Sequence, residues 1–343
     1  MLKIQKEPNM KDDRIHMIGV GSPVVDLVIE VPEQLVESVP GQKGGMELVD
    51  SRTMGSLLAM IGGQPVKATG GSAGNTTFAL TSMGLRCSFM GKLGRDENGA
   101  YYRDYFKQIG GDCSRFKLDG DAATASCLSL VTPDSERTMR TDLGAAMAFS
   151  PEDIHPEDFA GCDHVHVEGY LLFNPELILA VLKAAKEAGC RVSLDLGSFE
   201  VVDHAREALP GILKNYVDVV FANEEESAVY CGKDDPEVGL EELGKLCSIA
   251  AVKLGKKGAL VRDAAGAHHV PAFMTDRAVD TTGAGDFWAA GFLYGLINHH
   301  PVDACAKTGA LLGRHVVEHL GAALPLEAWR KIMEETNQIL NRI

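Results

Sequence analysis

The residues best suited to chemistry in this chain are Asp280-Thr281-Thr282-Gly283-Ala284-Gly285-Asp286, two carboxylates separated by small residues and followed at once by the apolar run 287–296. The pattern reads as a tight turn opening a buried helix. Gly283 and Gly285 let the backbone take turn angles and let a ligand approach closely, and Ala284 keeps bulk away. The first N–H groups of the helix lack intrahelical partners and form an anion site. Asp286 would then stand beside the anion, where a carboxylate can act as general base next to a transferring phosphoryl group. The same residues also fit a plainer role, a Gly-rich turn with Asp286 capping the helix. Taken alone, they leave both readings open.

A second Gly-rich cluster, Gly70-Gly71-Ser72-Ala73-Gly74-Asn75-Thr76-Thr77, also precedes a helix-like segment. Gly70 and Gly71 would let the chain bend or pass close to a ligand. Asn75 offers a donor and an acceptor to a hydroxyl-rich compound. The alternative is a structural turn with Asn75 as the helix cap. Asn223-Glu224-Glu225-Glu226 follows a strand-like run, and is either an acidic first turn complementing a helix dipole or a cation site.

Behind these clusters, strand-like and helix-like segments alternate along most of the chain. Residues 15–20, 88–91, 164–167, 191–194, 217–221 and 250–254 read as short strands, and 75–83, 98–109, 175–188, 224–230 and 240–246 as helices. That rhythm predicts βαβ units and a doubly wound, mostly parallel α/β sheet with ligands at the carboxyl ends of its strands. Two regions break it. Residues 24–50 hold two strand-like stretches, and 123–141 hold an alternating run, a Pro-Asp-Ser turn and a second strand, which is a hairpin. They are expected to form a small β-sheet lid over a large domain made of 1–23, 51–122 and 142–343.

Composition narrows the function. The 343 residues carry a net charge of −15, which argues against a nucleic-acid or anionic-membrane surface but not against a local anion pocket. The segment 1–13 is charged and lacks a signal-peptide core, and no apolar run reaches membrane-spanning length. The 8 cysteines form no C-x-x-C pair, so reduced thiols in a cytoplasmic protein are expected and a zinc site is not. The histidines, including His299-His300, suggest no metal cluster. Gly19-Val20-Gly21 continues as Ser22-Pro23-Val24, so the G-x-G-x-x-G of a dinucleotide-dependent oxidoreductase is missing. A catalytically idle sugar or nucleotide sensor would need a broken base or anion turn, and both are intact.

Residues 70–94, with Asn75, Gly84 and Gly94 at the expected intervals, resemble the first signature of the ribokinase/PfkB carbohydrate kinase family, and 280–293 resemble the second. The two lie about two hundred residues apart in the expected order, so the resemblance spans nearly the whole chain. It implies a ribokinase-like fold and MgATP-dependent transfer of the γ-phosphoryl group to a hydroxymethyl oxygen. Asp286 matches the family's base, and Gly283, Ala284 and Gly285 match its anion hole. Asn223 and Glu226 match an N-x-x-E motif that organises Mg²⁺, partly through water. The loop at 252–258, with Lys253 and Gly255, resembles the nucleotide loop. Many members have Thr where Lys253 stands, so Lys253 would meet phosphate or point to solvent. Thr308 and Gly309 fall where the last helices flank the adenine. Asp280 and Thr282 match positions that help bind K⁺ in many relatives; a turn-stabilising Asp280 is the alternative. Asp26 matches a substrate-gripping aspartate able to accept from two sugar hydroxyls. Arg137 matches a lid arginine that reaches phosphate or substrate, or is a hairpin-tip charge.

Gly70 lies 44 positions after Asp26, an interval longer than in ribokinase-like members and similar to the adenosine-kinase branch. The helix-like 53–61 fills part of it. Tyr170 or Phe173, after Glu168, would stack on a nucleobase or lie in the core. Gly74, Thr76 and Thr77 depart from eukaryotic adenosine kinases and bring the chain closer to bacterial members. The expected acceptor is a nucleoside or a sugar, the lid is expected to close over it, and the chain is expected to be a monomer or homodimer.

Overall fold

The computed structural model describes residues 15–134 and 136–341. The segment 1–13, read above for a leader, lies outside the described residues except in its sequence, as does Ser135 of the hairpin turn.

The main sheet has eight strands. Six are parallel, in the order Cys87–Met90, Ile15–Val20, Cys162–Glu168, Arg191–Asp195, Val219–Asn223, Ile249–Lys253. An antiparallel hairpin, Ala259–Asp263 and Gly266–Val270, closes one edge. The parallel strands are short and apolar because both of their faces are covered. Alternate residues feed two separate cores: Met17, Val219 and Phe221 face one side, Ile18, Val220 and Ala222 the other. On the first side lie the helices Ser72–Ser82, Ala284–Ile297 and Val302–Val317. Ala284–Ile297 is apolar all round, and it is accordingly buried along most of its length.

The small sheet runs Met46–Leu48, Arg137–Asp142, Ser126–Val131, Val24–Glu30, Val66–Gly70. It therefore takes a third stretch beyond the two expected. Val66-Lys67-Ala68-Thr69-Gly70 carries little apolar alternation and runs into a glycine pair, so the sequence does not mark it as a strand, yet it pairs antiparallel with Val24–Glu30. One face of this sheet, with Val25, Leu27, Leu128 and Leu130, is buried in a cluster with Val36, Met54 and Leu57 of the helices Glu33–Ser38 and Ser51–Ile61. The opposite face carries Asp26, Cys127 and Thr141 in register across three strands.

Strand Ile15–Val20 lies between Cys87–Met90 and Cys162–Glu168, so the chain departs to opposite sides of it. Such a switch point opens a crevice at the carboxyl ends of the strands. Both glycine clusters reach that crevice.

Candidate active site

Four neighbouring parallel strands end on polar residues, Glu168, Asp195, Asn223 and Lys253. Glu168 is paired in register with Asp195, and Asn223 with Lys253, while Asp195 lies opposite Phe221, so the four form a stepped row along the sheet's carboxyl edge. Above the row stand the N-termini of two helices, Ser72–Ser82 and Ala284–Ile297.

Asp286 lies in the first turn of the second helix and is held by the first turn of the other. Ser72 Oγ donates to Asp286 Oδ1 at 2.8 Å, Asn75 Nδ2 donates to Oδ2 at 2.8 Å, and Thr76 Oγ1 donates to the Asp286 carbonyl at 3.1 Å. Asp286 does not cap its own helix. Its carboxyl is pushed up to about 7, chiefly by burial and further by Asp195, while Asn75, Ser72 and Lys253 pull it back down. A base that titrates near neutrality suits proton removal from an alcohol. Gly283 opens the helix in the left-handed region, at φ +73°, and a side chain there would meet Ala322 at 2.6 Å. That conformation needs glycine. Asn75 is not the helix cap, one of the two things read from the sequence: Gly71 is the cap position, and the Asn75 amide donates to Asp286.

Lys253 does not point to solvent. Its Nζ donates to Asp195 Oδ2 at 2.6 Å, and a Cβ built on Gly285 would lie 3.1 Å from that Nζ. The ammonium therefore sits directly over the anion turn. Burial lowers its proton affinity, but the charges of Asp195 and Glu226 outweigh that and leave it raised. Asn223 and Glu226 form a reciprocal cap: Glu226 N donates to Asn223 Oδ1 at 2.8 Å, and Asn223 N and Nδ2 donate to the Glu226 carboxylate at 2.9 and 2.7 Å. Burial and Asp195 push Glu226 up to about 7. Glu168, likewise raised to about 7 by burial, accepts from Ser22 N at 2.7 Å and Ala73 N at 3.3 Å. These are hard oxygen donors suited to Mg²⁺. Among the described residues no three His, Cys, Asp or Glu side chains converge as a metal cage.

The lid brings two of the expected residues to this crevice. Asp26 is pushed up to about 6 by burial, against the pull of Arg137. It packs against Gly70, where a Cβ would lie 2.5 Å from Asp26 Oδ2. Arg137 crosses to the turn before the anion hole, with Nη2 2.8 Å from Asp280 Oδ2 and Nη1 donating to Thr282 Oγ1 at 3.2 Å. It is a lid-to-turn bridge and no hairpin-tip charge. Asp280 also accepts from Gly321 N at 2.7 Å and from Thr282 N and Oγ1 at 3.0 and 2.8 Å. Burial raises Asp280, but these hydrogen bonds and Arg137 hold it below the ordinary carboxylate value. Both Asp280 oxygens are thus engaged by neighbouring residues.

Two expected nucleotide residues are elsewhere. Thr308 is fully buried, with its hydroxyl donating to the Ala304 carbonyl within its own helix. Gly309 packs on Trp288, where a Cβ would lie 2.7 Å from the Trp288 carbonyl oxygen. Both serve the close contact between helices Val302–Val317 and Ala284–Ile297, and small residues there reflect packing. Gly255 starts a short 3-10 turn just past Lys253, at φ +54°, with open space on its Cβ side. Tyr170 and Phe173 are not core residues: they are 41% and 50% exposed, and Phe173 packs on His204. Sequence reasoning missed Ser72, Asp195 and the role of Glu168. The signal that would have found the last two is that each is an acidic residue closing an apolar strand.

A buried carboxylate in the first turn of a helix, a glycine turn before it, a lysine above it and an α/β sheet beside a small β sheet have the parts that phosphoryl-transfer enzymes use. A model of the "pfkB family carbohydrate kinase" matches residues 54–329, and the chain belongs to that family. It is 34% identical to an ATP-dependent ribose-1-phosphate kinase of Halopiger xanaduensis over 65% of this chain and 72% of that one. It is 29% identical to an aminoimidazole riboside kinase of Salmonella typhimurium over 67% of this chain and 74% of that one. Among solved structures, adenosine kinase from Sinorhizobium meliloti superposes with a TM-score of 0.82 at 30% identity, covering 93% of this chain and 99% of that one. A probable sugar kinase from Rhizobium etli gives the same TM-score and identity, covering 98% of its own length.

Proposed function

We propose that this chain transfers the γ-phosphoryl group of ATP to the hydroxymethyl oxygen of a nucleoside, with Asp286 as general base. The observation that carries the reading is Asp286 itself, buried, titrating near 7 and pinned by Ser72 and Asn75 at the mouth of the anion turn. As the acceptor oxygen attacks phosphorus, its proton passes to Asp286, and the bond from the γ-phosphorus to the β,γ-bridging oxygen breaks with the electron pair leaving on ADP. The Ala284 N–H donates to the Thr281 carbonyl at 3.1 Å, so the N–H groups of Gly285 and Asp286 receive the charge on the transferring group. Asn223 and Glu226 would hold Mg²⁺ largely through water, and that ion would neutralise the β- and γ-phosphates. K⁺ dependence is not part of this reading, since Arg137 and two backbone amides already engage Asp280.

A nucleoside is favoured over a bare sugar or sugar phosphate by the lid face around Asp26. Register places Val28, Met139 and Met46 on that face, in line with Ser129, and Leu48 in line with Thr141. Met46 and Leu48 are 50% and 64% exposed. Apolar area beside a hydroxyl acceptor suits a ribose carrying a flat base, whose burial would be favourable at roughly 25 cal/mol per Å². The cation on that face, Arg137, is spent on Asp280, which leaves a phosphorylated sugar without it. The Arg137 bridge also supports closure of the lid over bound acceptor, which excludes water from the transfer. The chain's own helices cover the outer face of the small sheet, which supports a monomer over a homodimer.

The test is a phosphorylation panel with ATP and Mg²⁺ containing adenosine, inosine, guanosine, cytidine, ribose, fructose and fructose phosphates. Turnover of a nucleoside with kcat/KM at least about tenfold above every sugar is expected. A sugar or sugar phosphate preferred by that margin overturns the nucleoside assignment.

A further inference from the structure

The rim of the crevice is strongly acidic. Glu168 and Asp195 close strands of the row, and Glu226 and Asp286 stand in the first turns of helices beside it. Asp195 and Asp286 raise Glu226, Asp195 raises Asp286 and Asp286 raises Glu168, and a polyphosphate entering such a place meets repulsion. Lys253 is the cation within the row. Its position is fixed from two sides: strand Ile249–Lys253 ends on it, and Asp195, two strands away, takes one of its three N–H donors at 2.6 Å. No second acceptor for that ammonium is found among the described residues, and its side chain is 14% exposed. The remaining donors stand where a Cβ on Gly285 would be 3.1 Å away, so they share their space with the free N–H groups of the anion turn. Charge pairing of this kind is stronger out of water than in it.

We propose that Lys253 is a catalytic residue and Asp195 its positioning residue: the ammonium, tethered above the Gly285 peptide, meets the phosphoryl group while it passes from ATP to the acceptor. This rests on the kinase reading above and extends it from the base to a fixed charge opposite the base. Lys253 keeps its proton throughout. The acceptor proton goes to Asp286, the electron pair of the broken P–O bond leaves with ADP, and the ammonium offsets charge on the phosphoryl oxygens between those events. Asp195 does not touch substrate. It holds the lysine protonated and aimed, at a place where an untethered side chain would fold toward any of the other carboxylates.

The test compares wild type, Lys253→Met, Lys253→Arg and Asp195→Asn. Magnesium ADP is titrated calorimetrically with and without aluminium fluoride, which mimics the group in flight. Fluoride is expected to tighten ADP on the wild type by about 100-fold or more, and Lys253→Met to lose at least about tenfold of that gain while its affinity for ADP alone stays within about threefold. Lys253→Arg recovers part of the gain. Asp195→Asn lies between, and its kcat falls off at lower pH than the wild type because the ammonium has lost its carboxylate. A Lys253→Met protein with the full fluoride gain, or with ADP alone weakened as much as the fluoride complex, overturns the proposal. Should that variant melt well below the wild type, Lys253→Arg and Asp195→Asn decide it: a fluoride gain equal to wild type in both overturns it. The two layers fail separately. Wild type that shows the fluoride gain, lost in Lys253→Met, but phosphorylates no nucleoside ends the nucleoside reading and leaves the Lys253 assignment for phosphoryl transfer to another acceptor. Wild type that phosphorylates a nucleoside, with Lys253→Met doing so at the same kcat, ends the assignment and leaves the kinase.

Discussion

Asn75 is where the two signatures of this chain meet, and its removal has a calculable effect. Asn75→Ala deletes the amide that donates to Asp286 Oδ2 at 2.8 Å and leaves the Ser72 hydroxyl on Oδ1. A hydrogen bond to a charged group is worth about 1.5–3 kcal/mol, and 1.36 kcal/mol moves a pKa by one, so the variant's Asp286 rises by about 1–2 from its starting value near 7. The catalytically competent form is the carboxylate. At about pH 7 roughly half of it is present in the wild type, against roughly one tenth to one hundredth in the variant, which predicts a fall in kcat/KM of about 5–50-fold. The loss is conditional: above about pH 9 the variant's carboxylate is ionised again and kcat/KM returns to within a few-fold of wild type. The assay is kcat/KM for the nucleoside across pH in a coupled ADP-release system, since this parameter reports groups of the free enzyme. Acid limbs that coincide in the two proteins, with a uniform loss at every pH, would refute the claim that Asn75 acts by keeping the base ionised.

Asp286→Asn is expected to lower kcat by roughly 10²–10⁴ at every pH. It should also stabilise the protein above neutrality. The folded carboxyl titrates near 7 and the unfolded near 3.8, so the native state holds the extra proton between them, stability falls as pH rises through that window, and the full cost of up to ~4 kcal/mol is present above it. A calorimetric melting temperature above wild type at about pH 8, and equal to it at about pH 4, is the expected pattern. Asp26→Asn should lower kcat/KM for the acceptor by about 10–100-fold through lost charge-assisted hydrogen bonds while leaving ADP affinity unchanged, and an unchanged acceptor KM would show that Asp26 does not grip it. Gly283→Ala forces a left-handed residue costing about 1–2 kcal/mol and presses on Ala322, so both a lower melting temperature and a lower kcat are expected, measured on the same preparation.

The parts legible in the sequence were those set by local chemistry. Short apolar strands alternating with helices gave the layered sheet, and two glycine clusters marked two helix starts, because backbone angles and close approach demand particular residues wherever they occur. Partners chosen across the fold were hidden. Nothing local says that Asn75 donates to a carboxylate 211 positions away, or that Arg137 crosses to Asp280. Nor does anything local say that the Thr308 hydroxyl donates to Ala304 or that Gly309 packs on Trp288. Val66–Gly70 also does not read as a strand, because an edge strand of a partly covered sheet carries little apolar alternation.

What the sequence did contain, unread, is the rule that four apolar strands each stop on a polar residue, and that rule explains the site's charge. A parallel sheet ends its strands where its helices begin, so a residue closing a strand is both buried on its flanks and open at its tip. A carboxylate set there is desolvated by the sheet and drifts up toward neutrality, as Glu168 does, and Glu226 and Asp286, in the first turns of helices facing the same crevice, are raised by burial likewise. A base near neutrality is useful, whereas three like charges at an anion turn repel the very group it must hold. One lysine in the row resolves the conflict only if it cannot swing away, and Asp195 is what restrains it. The acidity of the edge and the tethered cation therefore work together: burial, helped by Asp195, raises the base, and the lysine restores the field the phosphoryl group requires.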